Sequence, residues 1–153
     1  MARSGKIPGQ RPGLRPTDYL ALASFRRGVR RYLAFADEGA RSVGLTSQQH
    51  QALLAIKAQT LTRPMTLGDL AQELMIKHHS AVGLVGRLEK GGFIQRNADV
   101  DDRRKVLVSL TSAGEAILAA LSAKNLQELR VIAPAFAQLQ DRVDALTSDD
   151  DVA

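Results

Sequence analysis

No cysteine occurs in the 153-residue chain, which removes disulfide frameworks, Cys-ligated zinc or iron–sulfur centres and thiol redox switches. Tryptophan is absent as well, and aromatic residues make up only 4%, too few to stack the successive bases of a single strand. No apolar run approaches the roughly 18 residues that a bilayer span needs, so no membrane partner is expected. There is no Gly-rich phosphate loop, and the carboxylates fall in loops and the tail rather than in an apolar setting that would tune their acidity, so no catalytic residue and no enzyme are expected. Of the three histidines, His78 and His79 are adjacent and would diverge by about 100° on a helix. His50 stands alone, so neither a metal site nor a cofactor is expected.

What is present suits one globular domain: 44% of residues are hydrophobic and 24% charged, an ordinary supply for a core. Lys and Arg number 21 against 16 Asp and Glu, a formal +5, which favours a polyanion or an acidic surface as partner. Residues 1–16 mix Gly and Pro with Arg3, Lys6, Arg11 and Arg15 and read as a flexible basic arm. They lack the apolar stretch of a secretory signal, so a cytoplasmic location is expected.

From Thr17 to about Glu38, Tyr19, Leu22, Phe25, Val29, Leu33 and Ala36 recur every three or four residues with Arg26, Arg27, Arg30 and Arg31 between them, predicting an amphipathic helix that ends near Gly39. Thr46 with Gln49, and Thr66 with Asp69, are capping patterns that open two further helices. Met75 to His78 is expected to form the turn before a helix over His79–Lys90, which places Ala81, Leu84, Val85 and Leu88 on one stripe. Gly91 and Gly92 stop it. Phe93–Arg96 and Val106–Leu110 then alternate as two strands around a polar turn over Asn97–Lys105. Ser112 and Glu115 are read as the cap of a last helical stretch, with Pro134 breaking or kinking it before Phe136, Leu139, Val143 and Leu146 continue. An acidic, frayed tail is expected at 148–153.

Residues 77–105 carry seven basic and four acidic side chains, a local +3. The fold class that emerges is mainly α with a small β-hairpin wing: a winged helix-turn-helix core with helices on either side. In such a motif the second helix enters the major groove and the hairpin reaches the flanking minor groove. Gly83 and Gly86 on the outer face either allow close backbone approach to DNA or simply loosen the helix, each at roughly 1 kcal/mol relative to Ala.

Three stretches carry a family resemblance: LTSQQHQALL at 45–54, MTLGDLA at 65–71 with HSAVGLVGRLE at 79–89, and DVDDRRKVLVSLT at 99–111. Residues 45–111 resemble the winged-helix core of the MarR family of bacterial transcriptional regulators. The resemblance implies that Asp102 holds Arg104 for insertion into the minor groove, where a narrow, negative channel attracts a pre-ordered guanidinium. The bland alternative is an internal salt bridge that only stiffens the hairpin. Arg103 and Lys105 read as phosphate contacts. On the recognition helix the resemblance implies contacts from Lys77, His78, His79, Ser80, Gly83 and Arg87, with Ser80 alternatively a local cap. Gly86 departs from the acidic or polar residue that many relatives carry there.

By the same resemblance the protein is expected to regulate transcription, as a repressor, by binding a pseudo-palindromic operator in double-stranded DNA as a homodimer. The dimer would be built by the helices of 17–44 and 112–147 around the core of 45–111, although their apolar residues serve equally as intrachain core. A small aromatic or phenolic effector would release the DNA by preferring one spacing of the two recognition helices. His50, Gln49, Arg27, Arg30 and Arg31 are candidates to line its pocket or a solvated face. The basic arm either follows the DNA backbone or remains an unbound tail. The competing function is a winged helix used for protein interaction or dimerisation without DNA.

Overall fold

The computed structural model describes residues 13–150, with side chains to residue 146. Its elements run α1 (Pro16–Ser42), α2 (Ser47–Thr60), β1 (Met65–Thr66), α3 (Leu67–Glu73), α4 (His78–Lys90), β2 (Ile94–Ala98), β3 (Val106–Leu110) and α5 (Ser112–Asp150). Two compact units result. One is Tyr32–Glu128, and the other comprises the described parts of Met1–Arg31 and Leu129–Ala153.

The unit of Tyr32–Glu128 closes around Leu53, Ile56, Met65, Leu70, Leu84, Val85, Leu88, Ile94 and Val108, all with under 2% of their surface accessible or close to it. Burying each such side chain contributes about 1.5–3 kcal/mol. The stripe of Ala81, Leu84, Val85 and Leu88 faces this core, as the helical periodicity of α4 requires. The sheet is antiparallel in the order β1-β3-β2. Met65 and Arg96 flank Val108 on its two sides, so the wing has a third strand that the sequence reading did not anticipate. Two residues between Pro64 and α3 are too short to show alternation, and only the pairing partner β3 makes them a strand.

Helix ends explain the remaining differences. Helix α1 runs past Gly39, where a Cβ would stand at an ordinary 3.6 Å from Leu121 Cδ2. It ends instead at Gly44, at φ +78°, where Leu45 N–H donates to the Ala40 carbonyl at 3.0 Å and Gly44 N–H to that of Arg41 at 3.0 Å. This is a Schellman closure. The same closure ends α3, with Ile76 N–H on the Ala71 carbonyl at 2.9 Å, and here a non-glycine residue, Met75, takes the left-handed position at φ 52°. The turn therefore spans Met75–Lys77, and His78 is already helical.

Thr111, not Ser112, caps α5: its hydroxyl accepts the Gly114 N–H at 3.2 Å and donates to the Gly92 carbonyl at 2.6 Å. Gly114 is required there because a Cβ would overlap the Phe93 carbonyl oxygen.

In the other unit α5 continues through Pro134 as one helix. The proline removes one backbone bond, at a cost of about 3 kcal/mol. Contacts on both sides hold the helix: Ile132 packs on Gly28, and Phe136 meets Phe25 edge to face at 4.9 Å between centroids. Arg142 pairs with buried Asp18. That guanidinium, and the Arg15 N–H bonded to the same carboxylate, hold Asp18 below the usual carboxylate range. The basic arm expected at 1–16 lies outside the described residues up to residue 12. Of the acidic tail, Ser148–Asp150 belong to α5 and residues 151–153 lie outside the described part.

Candidate nucleic-acid interface

Thr66 builds the entry to the helix-turn-helix. Its hydroxyl accepts the Asp69 N–H at 3.0 Å and Asp69 returns the bond to the Thr66 N–H at 3.0 Å, a reciprocal cap worth about 1 kcal/mol. The Thr66 amide, first among several donors, holds the Asp69 carboxyl below its ordinary range. The α3–α4 turn then delivers Lys77 as the N-cap of α4, with no side chain bonded to the exposed first-turn amides. Ser80 is therefore not a cap. An open helix N-terminus with its partial positive charge suits an anion.

Lys77, His78, His79, Ser80 and Arg87 are all exposed, and Gly83 is half-buried. The structure brings them onto the outer face of α4, opposite the buried stripe. Arg87 lies beside Gly83, with 3.5 Å between its guanidinium and where a Cβ on that glycine would stand.

At the wing, Arg104 Nε donates to Asp102 Oδ1 at 3.1 Å, and the Arg104 backbone N–H uses the same oxygen at 3.1 Å. The Arg104 side chain is 92% exposed while Asp102 is 28% exposed. One carboxylate thus orients a guanidinium whose remaining donors face outward. Arg104, through its side chain first and its amide second, lowers the Asp102 pKa. Arg103 and Lys105 are exposed on either side.

Sequence reasoning missed two braces. Arg96 on β2 reaches Glu89 on α4 at 2.6–2.8 Å, tying the base of the wing to the recognition helix. Their separation of seven residues across a glycine turn hides the pair from helical spacing rules. Arg63, in the corner between α2 and β1, donates to Asp69 at 3.1 Å and lines a cleft of about 650 Å³ together with His78, Arg104 and Lys105.

Gln49 is consumed in the α2 cap, accepting the Thr46 N–H at 2.8 Å, and His50 is buried with Nε2 unpartnered. Arg27, Arg30 and Arg31 belong to the other unit.

A helix-turn-helix preceded by the short strand β1 and followed by the β2–β3 hairpin that pairs with it, with the cationic side chains turned outward, defines the class: a winged helix. The MarR family model matches residues 43–105. The chain is 40% identical over 79 residues to the transcriptional activatory protein BadR of Rhodopseudomonas palustris, covering 50% of this chain and 45% of BadR. It is 35% identical to a probable transcriptional regulator from Pseudomonas aeruginosa, with a TM-score of 0.56, covering 81% of this chain and 91% of that one. A Staphylococcus aureus MepR mutant bound to an oligodeoxyribonucleotide shares the fold, with a TM-score of 0.62 at 22% identity over 86% of this chain and 96% of MepR. The chain belongs to the MarR family. It matches between 45% and 65% of the length of the first three curated relatives.

Proposed function

We propose that the protein is a transcriptional regulator, a repressor rather than an enzyme, that binds a pseudo-palindromic operator in double-stranded DNA as a homodimer. The observation that carries this reading is the pairing of an uncapped α4 N-terminus with an Asp102-oriented, outward-facing Arg104 in one compact unit. An outward guanidinium pre-ordered by a carboxylate suits a narrow, negative minor groove. The dimer reading is supported by Tyr19, Leu20, Leu22 and Val131, apolar side chains of α1 and α5 that remain 46% or more exposed. Two such cores related by a two-fold axis read two half-sites about one DNA turn apart.

The test is affinity for duplex fragments bearing the inverted repeat nearest its own gene, measured by fluorescence anisotropy at several salt concentrations. Log affinity is expected to fall linearly with log salt. Lys77→Ala is expected to lower that slope by about one unit, and Arg104→Ala to cost about 1–3 kcal/mol of binding. Salt-independent or absent binding would leave the interaction-module reading in its place.

Repression follows from occupancy, since a dimer seated over a promoter excludes polymerase. A promoter reporter in a strain lacking the gene is expected to rise; a fall would assign the activating sign for which BadR is named. Release by a small aromatic or phenolic effector completes the proposal. The buried, unpartnered Nε2 of His50 is a polar atom that such a ligand would satisfy, and a hydroxybenzoate titration that lowers DNA affinity is the expected result.

A further inference from the structure

We propose that the cleft between the α2–β1 corner and the wing seats one backbone phosphate of the duplex, and that Arg63 grips it from the side opposite Arg104. This rests on the DNA-binding reading above and adds a residue to it.

The cleft of about 650 Å³ lies wholly within the unit of Tyr32–Glu128, and Arg63, Asp69, His78, Asp99, Arg104 and Lys105 supply its ionisable lining. Two of its guanidiniums are built alike. Arg104 is held by Asp102, and Arg63 by Asp69, whose Oδ2 accepts from Arg63 at 3.1 Å, Gln59 at 3.0 Å and the Thr66 amide at 3.0 Å. The Arg63 amide is itself fixed on the Gln59 carbonyl at 3.0 Å. Arg63 is thus anchored at both ends while its side chain stays 61% exposed. A guanidinium carries five donors in a fixed fork, so one carboxylate oxygen leaves most of them for an incoming anion.

The two carboxylates of the lining are already engaged, Asp69 as described and Asp99 Oδ1 with the Asp101 amide at 2.9 Å. They oppose three permanent cations, Arg63, Arg104 and Lys105. A phosphodiester presents two non-bridging oxygens and one negative charge, which two guanidinium forks lining one cleft can share. The duplex is the source that the placement favours, because the cleft opens between two elements, α4 through His78 and the wing through Arg104, that flank a groove and therefore straddle its backbone.

The experiment compares Arg63→Ala, Arg63→Gln and Arg63→Lys with the unaltered protein, on the operator duplex and on a random duplex, across a salt series. Removing the charge is expected to weaken binding several-fold on both duplexes alike, leaving their ratio unchanged and lowering the salt slope by about one unit. Arg63→Lys is expected to restore the slope. Thermal midpoints without DNA report whether the corner stays folded; since Asp69 keeps its bonds to Thr66 and Gln59, they are expected to hold. An unchanged slope in a folded Arg63→Gln protein, or a loss confined to the operator duplex, would overturn the proposal while leaving DNA binding intact. Saturable binding of inorganic phosphate to the DNA-free protein, abolished by Arg63→Ala without effect on duplex affinity, would overturn it in favour of a free anion. Absence of salt-dependent binding by the unaltered protein would instead strike at the DNA-binding reading itself.

Discussion

In the unit of Tyr32–Glu128, Leu53, Ile56, Met65, Leu70 and Leu88 have no accessible surface, whereas in the unit of the chain ends Tyr19 is 60%, Leu20 70% and Val131 55% exposed. Both units draw on helices with apolar periodicity, so the pattern alone does not separate them. The first unit folds five helical segments and a sheet around one centre, which gives its apolar stripes intrachain partners. Among the described residues the second has only lengths of two helices, pinned by Asp18 with Arg142 and Phe25 with Phe136. Two helices cannot cover each other's whole apolar surface, and what remains is the surface assigned to the proposed dimer.

The largest effect that would test this contrast is a cavity. Leu53→Ala is expected to cost about 2–5 kcal/mol, read as a shift of the urea midpoint that does not depend on protein concentration. Leu20→Asp should leave that core transition in place and instead make the molecular mass from sedimentation drop at micromolar concentration. A core transition lost equally in both variants would erase the distinction between the units.

Within the first unit, Thr66→Ala is expected to cost about 1 kcal/mol of stability through the lost cap, measured by the same denaturation. Gly83→Ala should act in the opposite sense, adding up to about 1 kcal/mol, because the new methyl would meet only the flexible Arg87 guanidinium at an ordinary 3.5 Å. If that glycine serves close approach to DNA, the more stable variant will bind duplex more weakly. Equal or tighter binding would leave it as a loose point in the helix.

The smallest effect concerns pH. Burial lowers the His50 pKa from 6.5, against a lesser opposing pull from Asp37. The native state therefore refuses a proton that the unfolded chain accepts, and the stability gained is complete above about pH 6.5 and declines as pH falls below it. His50→Gln is expected to flatten the urea midpoint between pH 7.5 and 5.5. Asp18, Asp69 and Asp102, all lowered, act in the same direction further down, their contribution being lost as pH falls below about 3.8 through their native values.

Much of the recognition surface was legible because it depends on local order. The α4 stripe follows from period 3.6 and the Thr46 and Thr66 caps from three-residue spacing, whereas the Asp102 and Arg104 pair came from the family resemblance and is met by the bond between them. Arg63 and Arg96 were not legible as partners of Asp69 and Glu89, since each pair spans a change of element. The continuity of α5 was also hidden. A proline predicts a break, and only Ile132 and Phe136, gripped on either side by α1, override it.

The sequence by itself determined which stretches are helical, which face of each is apolar, and that positive charge gathers between 77 and 105, because periodicity, caps and composition act over a few residues. The tertiary structure alone decided that Met65 and Thr66 become a strand, that Arg63 and Arg104 line the same cleft, and that His50 loses its solvent. Those outcomes depend on which distant segments are brought within a few ångströms, and no local interaction encodes that distance.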